Sequence, residues 1–257
     1  MSEPLIVEVQ GPVARLTLNR PERLNALSAE MLEGIASRVT DLAQLPEIRV
    51  IAITGAGRGF CSGADLQGDP AEGQEIDATT LYAAGRAVRA IVHSPKPVVA
   101  LANGVAAGVG CSIALAADYV LAAESASFVL PFGKIGLMPD GGATALVAAS
   151  IGRARAVRMA LTSEKVTARD AHSWGLIAEV VADEQFADRG RALLDTLAAS
   201  APEAVAWTMS AINAATLDLD SVLAREEEGQ VRLLSSADFR EGVAAFKERR
   251  TPDFGGS

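Results

Sequence analysis

The stretch KPVVALANGVAAGVGCSIALAADYVLA, residues 96–122, decides the fold. VVAL (98–101) is a short apolar run bounded by a proline and a glycine-rich turn, and YVLA (119–122) is a second such run. Between them lie NGVAAGVGCS (103–112) and the apolar residues 110–117. Runs this short and this uniformly apolar read as strands buried on both faces, which points to a parallel sheet covered by helices. The same grammar extends upstream. VIAIT (50–54) is another buried strand, and residues 81–92 read as a helix. Ser28 precedes Met31, Leu32, Ile35, Val39 and Leu42 at helical spacing, so it is placed to cap an amphipathic helix. Residues 5–10 and 13–19 are β-branched runs joined at Gly11-Pro12 and predict a hairpin. Strands alternating with helices imply a mainly parallel α/β sheet.

Downstream, Thr167 and Asp170 form a capping pair for a short helix ending at Trp174, with Gly175 set to adopt the left-handed conformation, and LIAEVV (176–181) reads as a further strand. No strand pattern follows Glu184, and Pro202 separates one helical stretch from a run of helices reaching Arg250. The reading is a core over residues 1–200 and a C-terminal helical segment over 201–257.

Composition excludes several classes. The net charge is -9, which disfavours a nucleic-acid partner, and no apolar run approaches the length of a membrane span. Cys61 and Cys111 are the two cysteines and form no CxxC or Cys/His cluster, so neither a disulfide framework nor a metal site is indicated. The N-terminus lacks a basic region followed by an apolar one, and the GGS end is not a targeting tripeptide. The expected compartment is the cytoplasm.

GAGRG (55–59) departs from GxGxxG spacing and opens a poor helix, so dinucleotide binding is disfavoured. Cys61-Ser62 lacks an obvious base, and a buried small-residue turn explains the pair better. His93 and His172 lie far apart with no ligand constellation, and structural roles fit them better. What remains is a pair of glycine-rich turns after strands, GRGFCSGADL (57–66) and NGVAAGVGCS. These are either two tight turns of the core or two sources of backbone N–H groups for a developing oxyanion.

NRPERLNALS (19–28), GRGFCSGADL, KPVVALANGVAAGVG (96–110) and KIGLMPDGGAT (134–144) occur in one order and resemble the successive signatures of the enoyl-CoA hydratase/isomerase (crotonase) family. The resemblance covers nearly the whole chain. It implies a spiral of ββα units, assembly as a homotrimer or dimer of trimers, and an acyl-CoA thioester substrate, with coenzyme A as part of that substrate and no separate cofactor. It implies an oxyanion hole made by the N–H groups of Ala64 and Val109. Coenzyme A is expected around Arg23, Leu24 and Ala26 and around Ala64, Asp65 and Leu66, with Phe246 and Arg249 reaching in from a neighbouring subunit. For Phe246 core packing, and for Arg249 a solvated helix charge, are the alternative readings.

Hydratases of the family use two glutamates, and the matching positions here are Ser112 and Phe132, neither of which can act as an acid or base near neutral pH. Family isomerases place a carboxylate at the turn occupied by Asp140, and the FCxG, IGLxPD and SADxREGVxAF blocks resemble bacterial phenylacetate-pathway isomerases. The resemblance thus implies isomerisation of a 3-enoyl-CoA or of a ring-epoxide, with Asp140 as proton carrier. The competing reading of Asp140 is an N-cap for the next helix. Phe128, Val129, Leu130 and Phe132 are expected near the acyl group, although a core strand has the same look. The rivals are an atypical hydratase and a non-catalytic acyl-CoA-binding protein.

Overall fold

The computed structural model describes residues 3–65 and 78–256. Strands β1 (Leu5–Gln10) and β2 (Val13–Leu18) form the expected antiparallel hairpin. Ala14, Leu16 and Leu18 alternate into the core, as the two-residue period of a strand requires. Helix α1 (Ala29–Gln44) begins at Ser28, whose hydroxyl accepts from Met31 N, and all five apolar residues of its stripe are buried.

Three ββα units follow. The first is β3 (Val50–Gly55), β4 (Gly59–Cys61) and α2 (Thr79–Val92). The second is β5 (Val98–Ala102), β6 (Val105–Ala107) and α3 (Val109–Ala116). The third is β7 (Tyr119–Ala123), β8 (Ser127–Val129), a 3-10 turn at Pro131–Ile135 and α4 (Ala143–Thr162). After β9 (Val166–Thr167), α5 (Ala168–Trp174) and β10 (Glu179–Val181) come four helices: α6 (Phe186–Ala198), α7 (Pro202–Thr216), α8 (Leu219–Leu234) and α9 (Ala237–Glu248).

The first strand of each unit joins a sheet of order β1-β2-β3-β5-β7-β10, and the second joins a smaller sheet of order β4-β6-β8-β9. Each unit therefore steps one strand along both sheets, which produces the spiral. All pairings of the larger sheet after the hairpin are parallel. Its central strands lack alternation because both faces are covered. Ile51 and Ile53 face the main core, whereas Val50 and Ala52 pack with Leu193 and Leu194 of α6.

Two expectations are corrected. The glycine-rich stretches at 57–66 and 103–112 are not turns alone, because each carries a three-residue strand of the second sheet. The strand expected over 176–181 is confined to Glu179–Val181. Its first residues instead close α5: Gly175 adopts φ 82°, and the N–H groups of Gly175 and Leu176 donate to His172 O and Ala171 O, in the pattern of a Schellman ending. No helix among the described residues is long and apolar enough to cross a membrane.

Candidate active site

The loop between β2 and α1 is built around Asn25, which is fully buried. Its amide donates to Ala56 O, Gly59 O and Phe60 O, while its carbonyl oxygen accepts from Arg20 N at 2.9 Å. Leu24 and Asn25 both adopt left-handed backbone (φ 49° and 58°), a conformation asparagine tolerates better than leucine. Ser62 N donates to Leu24 O, Leu27 N to Gly63 O and Asp65 N to Leu27 O. These bonds stitch the loop to one side of residues 62–65.

That stitching fixes the direction of Ala64. In a parallel bridge the residue between the two bonded groups turns its own N–H to the opposite side, and Ala64 is bridged to Leu27 in this way. The end of β6 approaches from that quarter. A Cβ added to Gly63, which sits at φ 102°, would stand 3.1 Å from Ala107 O and 3.7 Å from the Gly108 Cα. Only glycine permits so close an approach in that conformation. Val109 is the first residue of α3, so its N–H has no acceptor within the helix. Ala64 and Val109 both line one cavity of about 110 Å³.

Asp140 lines the same cavity, together with Leu81, Phe132 and Leu137. Its carboxyl is buried. Burial pushes it up from 3.8 to about 7; a hydrogen bond from Gln230 opposes the rise and the charge of Glu226 adds to it. Gln230 Nε2 donates to Asp140 Oδ2 at 2.7 Å. Ser112 stands at the first position where the resemblance implies a hydratase's glutamate, and its hydroxyl donates to Asp140 O at 2.8 Å. Phe132, at the second such position, is buried against the cavity.

Asp140 does not cap α4. The N-cap residue is Gly142, and the helix N-terminus is held by Glu226 of α8, which accepts from Gly142 N at 2.7 Å and Thr144 N at 3.0 Å. Burial also raises the Glu226 carboxyl, against the pull of its Thr144 and Gly142 donors.

A second cavity of about 300 Å³ shares Ser62, Ala64, Pro131 and Ile135 with the first. Arg23, Ala26, Asp65 and Phe246 line it, so four of the expected coenzyme A residues stand beside Ala64. Phe246 lines this wall within its own chain because α9 packs on the 3-10 turn at Pro131–Ile135. Asp65 Oδ2 receives Arg20 at 2.8 Å and Arg23 at 3.0 Å, and Arg23 remains the more exposed of the two. Leu24 contributes its carbonyl to the stitching, Arg249 lies at the end of α9 and lines neither cavity, and Leu66 falls outside the described residues.

Other candidates fall away. Burial pushes the Cys61 thiol up to about 12, far from a nucleophile at neutral pH. His93 and His172 are exposed and line neither cavity. GAGRG leads into a strand, not a helix. Phe128 and Leu130 are buried in the core, and of the four residues expected near the acyl group only Phe132 lines the cavity. Sequence reasoning missed Asn25, Arg20, Glu226 and Gln230. The one available signal was two polar residues, Glu226 and Gln230, on the same helical stripe as Leu219 and Leu223.

The ends of the ββα units thus bring Ala64, Val109 and the buried carboxyl of Asp140 to the wall of one cavity. The chain belongs to the enoyl-CoA hydratase/isomerase family, whose model matches residues 8–257. It is 42% identical, over the full length of both chains, to the 1,2-epoxyphenylacetyl-CoA isomerase of Escherichia coli (strain K12). It is 43% identical to a probable enoyl-CoA hydratase of Rhodobacter capsulatus, covering 97% of this chain and 96% of that protein. The crystal structure of an enoyl-CoA hydratase from Mycobacterium avium subsp. paratuberculosis K-10 superposes with a TM-score of 0.92 at 47% identity, covering 98% of each chain.

Proposed function

We propose that the protein is an acyl-CoA isomerase that shifts a double bond from 3-enoyl-CoA to 2-enoyl-CoA, or isomerises ring-1,2-epoxyphenylacetyl-CoA, through an enolate held by the N–H groups of Ala64 and Val109. The observation that carries this reading is Asp140: the single carboxyl among the described residues that line the cavity, buried and at about pKa 7, with Ser112 and Phe132 where a hydratase carries its two glutamates. Hydration needs a group to activate water and a proton handled at C2. Moving a double bond needs one carboxylate that takes a proton from C2 and, once protonated, returns it to C4. A pKa near the working pH suits a group that must do both. Loss of one oxyanion donor typically costs roughly a hundredfold to a thousandfold, so the two N–H groups carry a large share of the barrier reduction.

Coenzyme A enters as part of the substrate, along the cavity walled by Arg23, Ala26, Asp65 and Phe246. The names of the Rhodobacter and Mycobacterium relatives support a second reading, hydration by an atypical site. Incubation with 3-enoyl-, 2-enoyl- and epoxyphenylacetyl-CoA, followed by chromatography that resolves isomers and by mass spectrometry, separates the readings. Isomerisation changes structure without changing mass, hydration adds the mass of water, and a non-catalytic carrier converts none of the three. The assembly proposed is a homotrimer or dimer of trimers. Helix α7, which opens the C-terminal segment, buries none of its residues and leaves Trp207 77% and Ile212 57% exposed, an apolar face suited to a second copy.

A further inference from the structure

Helix α8 buries Leu219, Leu223, Glu226 and Gln230, a stripe of two apolar and two polar residues on one face. Gln230 is 1% exposed. A polar group so deep costs free energy unless it is hydrogen-bonded. Both of its donors and one acceptor direction are used: Oε1 accepts from Met138 N at 3.2 Å, and Nε2 donates to Met138 O at 3.0 Å and to Asp140 Oδ2 at 2.7 Å. The two bonds to Met138 fix which end of the amide is which. Flipping the amide would set its oxygen against two acceptors and its NH2 group against a donor, so the group has one stable orientation.

We infer that Gln230 is the positioning residue of Asp140: its amide, clamped by both backbone groups of Met138, commits Asp140 Oδ2 and leaves Oδ1 as the atom that takes and returns the proton. This rests on the reading of Asp140 as the proton carrier. A donor fixed on one carboxylate oxygen has two effects. It prevents the carboxyl from rotating, which keeps the other oxygen directed at a single point. It also favours the ionised form, and so lowers the proton affinity that burial raises. Without it the carboxyl would stay protonated through neutral pH and could not begin the reaction.

Among the described residues, the groups facing Asp140 from each packed element are few. Glu226 of α8 is the charged one, and it is held by Gly142 and Thr144. Helix α3 presents the Ser112 hydroxyl, α2 presents Thr80 and Leu81, and the 3-10 turn presents Phe132 and Ile135. None of these last five ionises between pH 5 and 9.

The test uses Gln230→Met, which keeps length and bulk but removes the donor, and Gln230→Glu, which keeps the acceptor for Met138 N. Both are compared with Asp140→Asn and with the Asp140→Asn/Gln230→Met double variant, on whichever ester of the panel the protein converts. Thermal melts establish that each variant is folded, and Gln230→Glu serves alone if Gln230→Met does not fold. The expected result is a KM within about twofold of the parent's and a kcat at pH 7 lowered roughly tenfold to a hundredfold, with the acidic limb of the rate profile displaced upward by about one to two pH units. In the double variant the second change should add nothing to the loss from Asp140→Asn. A folded Gln230 variant with the parent's pH profile, or a double variant whose losses multiply, overturns the inference. If Asp140→Asn itself retains turnover, the proton-carrier reading fails, a result distinct from an inactive Asp140→Asn beside an unaltered Gln230 variant.

Discussion

Replacing Asp140 by asparagine should lower turnover and, at alkaline pH, raise stability. Asp140 carries its proton up to about pH 7 in the folded chain because burial disfavours the charged form, whereas a carboxyl in the unfolded chain releases it near the ordinary value of 3.8. Between those limits the folded state binds a proton that the unfolded state lacks. The unfolding free energy therefore falls as pH rises through that window, and the loss is complete above the folded pKa. Each unit is worth about 1.36 kcal/mol, so the roughly two units from pH 5 to pH 7 amount to about 3 kcal/mol. Asparagine does not titrate. The stability difference, variant minus parent, should therefore move in the variant's favour by about 3 kcal/mol between pH 5 and pH 8.

Urea unfolding of both proteins at pH 5 and pH 8 measures this directly, since contributions of groups distant from Asp140 largely cancel in the difference. Turnover should fall roughly a hundredfold to ten-thousandfold, the usual worth of a general acid-base group, while the ester still binds. Parallel pH dependences for parent and variant would refute the claim that burial holds the proton on Asp140. Near-full turnover of the variant would refute its catalytic role independently.

Val109→Pro removes one N–H at the first position of α3, where proline is well accommodated; turnover should fall roughly a hundredfold to a thousandfold with little change in the melting temperature, and a folded variant with unchanged turnover contradicts the oxyanion role. Asn25→Ala removes the amide that donates to Ala56 O, Gly59 O and Phe60 O, of which Gly59 O keeps Asn103 Nδ2 at 3.3 Å, and it should cost on the order of 3 kcal/mol in denaturant unfolding. Phe246→Ala should raise KM for the CoA ester about fivefold, on the order of 1 kcal/mol of lost contact, and leave kcat nearly intact in steady-state assays; an unaltered KM removes Phe246 from the coenzyme A wall.

The larger sheet was legible because its strands are apolar runs closed by glycine, proline or a cap, and Val50–Gly55 and Val98–Ala102 are buried on both faces as such runs require. The smaller sheet was not. Gly59–Cys61, Val105–Ala107 and Ser127–Val129 are too short for any period to register, and glycines in the first two stretches mimic turns. The N–H groups proposed to hold the oxyanion had no signature of their own either. A backbone donor leaves no trace in residue identity, so Ala64 and Val109 came from the order of the surrounding motifs, and the geometry that turns Ala64 away from Leu27 became visible only in the bridge pattern.

Asp140 shows why a carboxylate's role is undecidable from its neighbours in sequence alone. Followed by Gly141, Gly142 and a helix, it has every local mark of an N-cap, and capping would have favoured the ionised form. The residue that does hold the helix N-terminus, Glu226, stands 84 positions from Gly142 on a helix that closes over the site from the other end of the chain. With Gly142 N and Thr144 N taken up by Glu226 and Ala143 N donating to the Asp140 backbone oxygen, the Asp140 carboxyl has Gln230, among the described residues, as the donor that lowers its proton affinity. The division of labour between two carboxyls, one spent on the helix and one facing the cavity, is what places the proton affinity of Asp140 near neutrality. It also ties α8 to the cavity: displacing this helix would at once withdraw the cap from α4 and the amide from Asp140, so the proton affinity of Asp140 depends on the C-terminal helices.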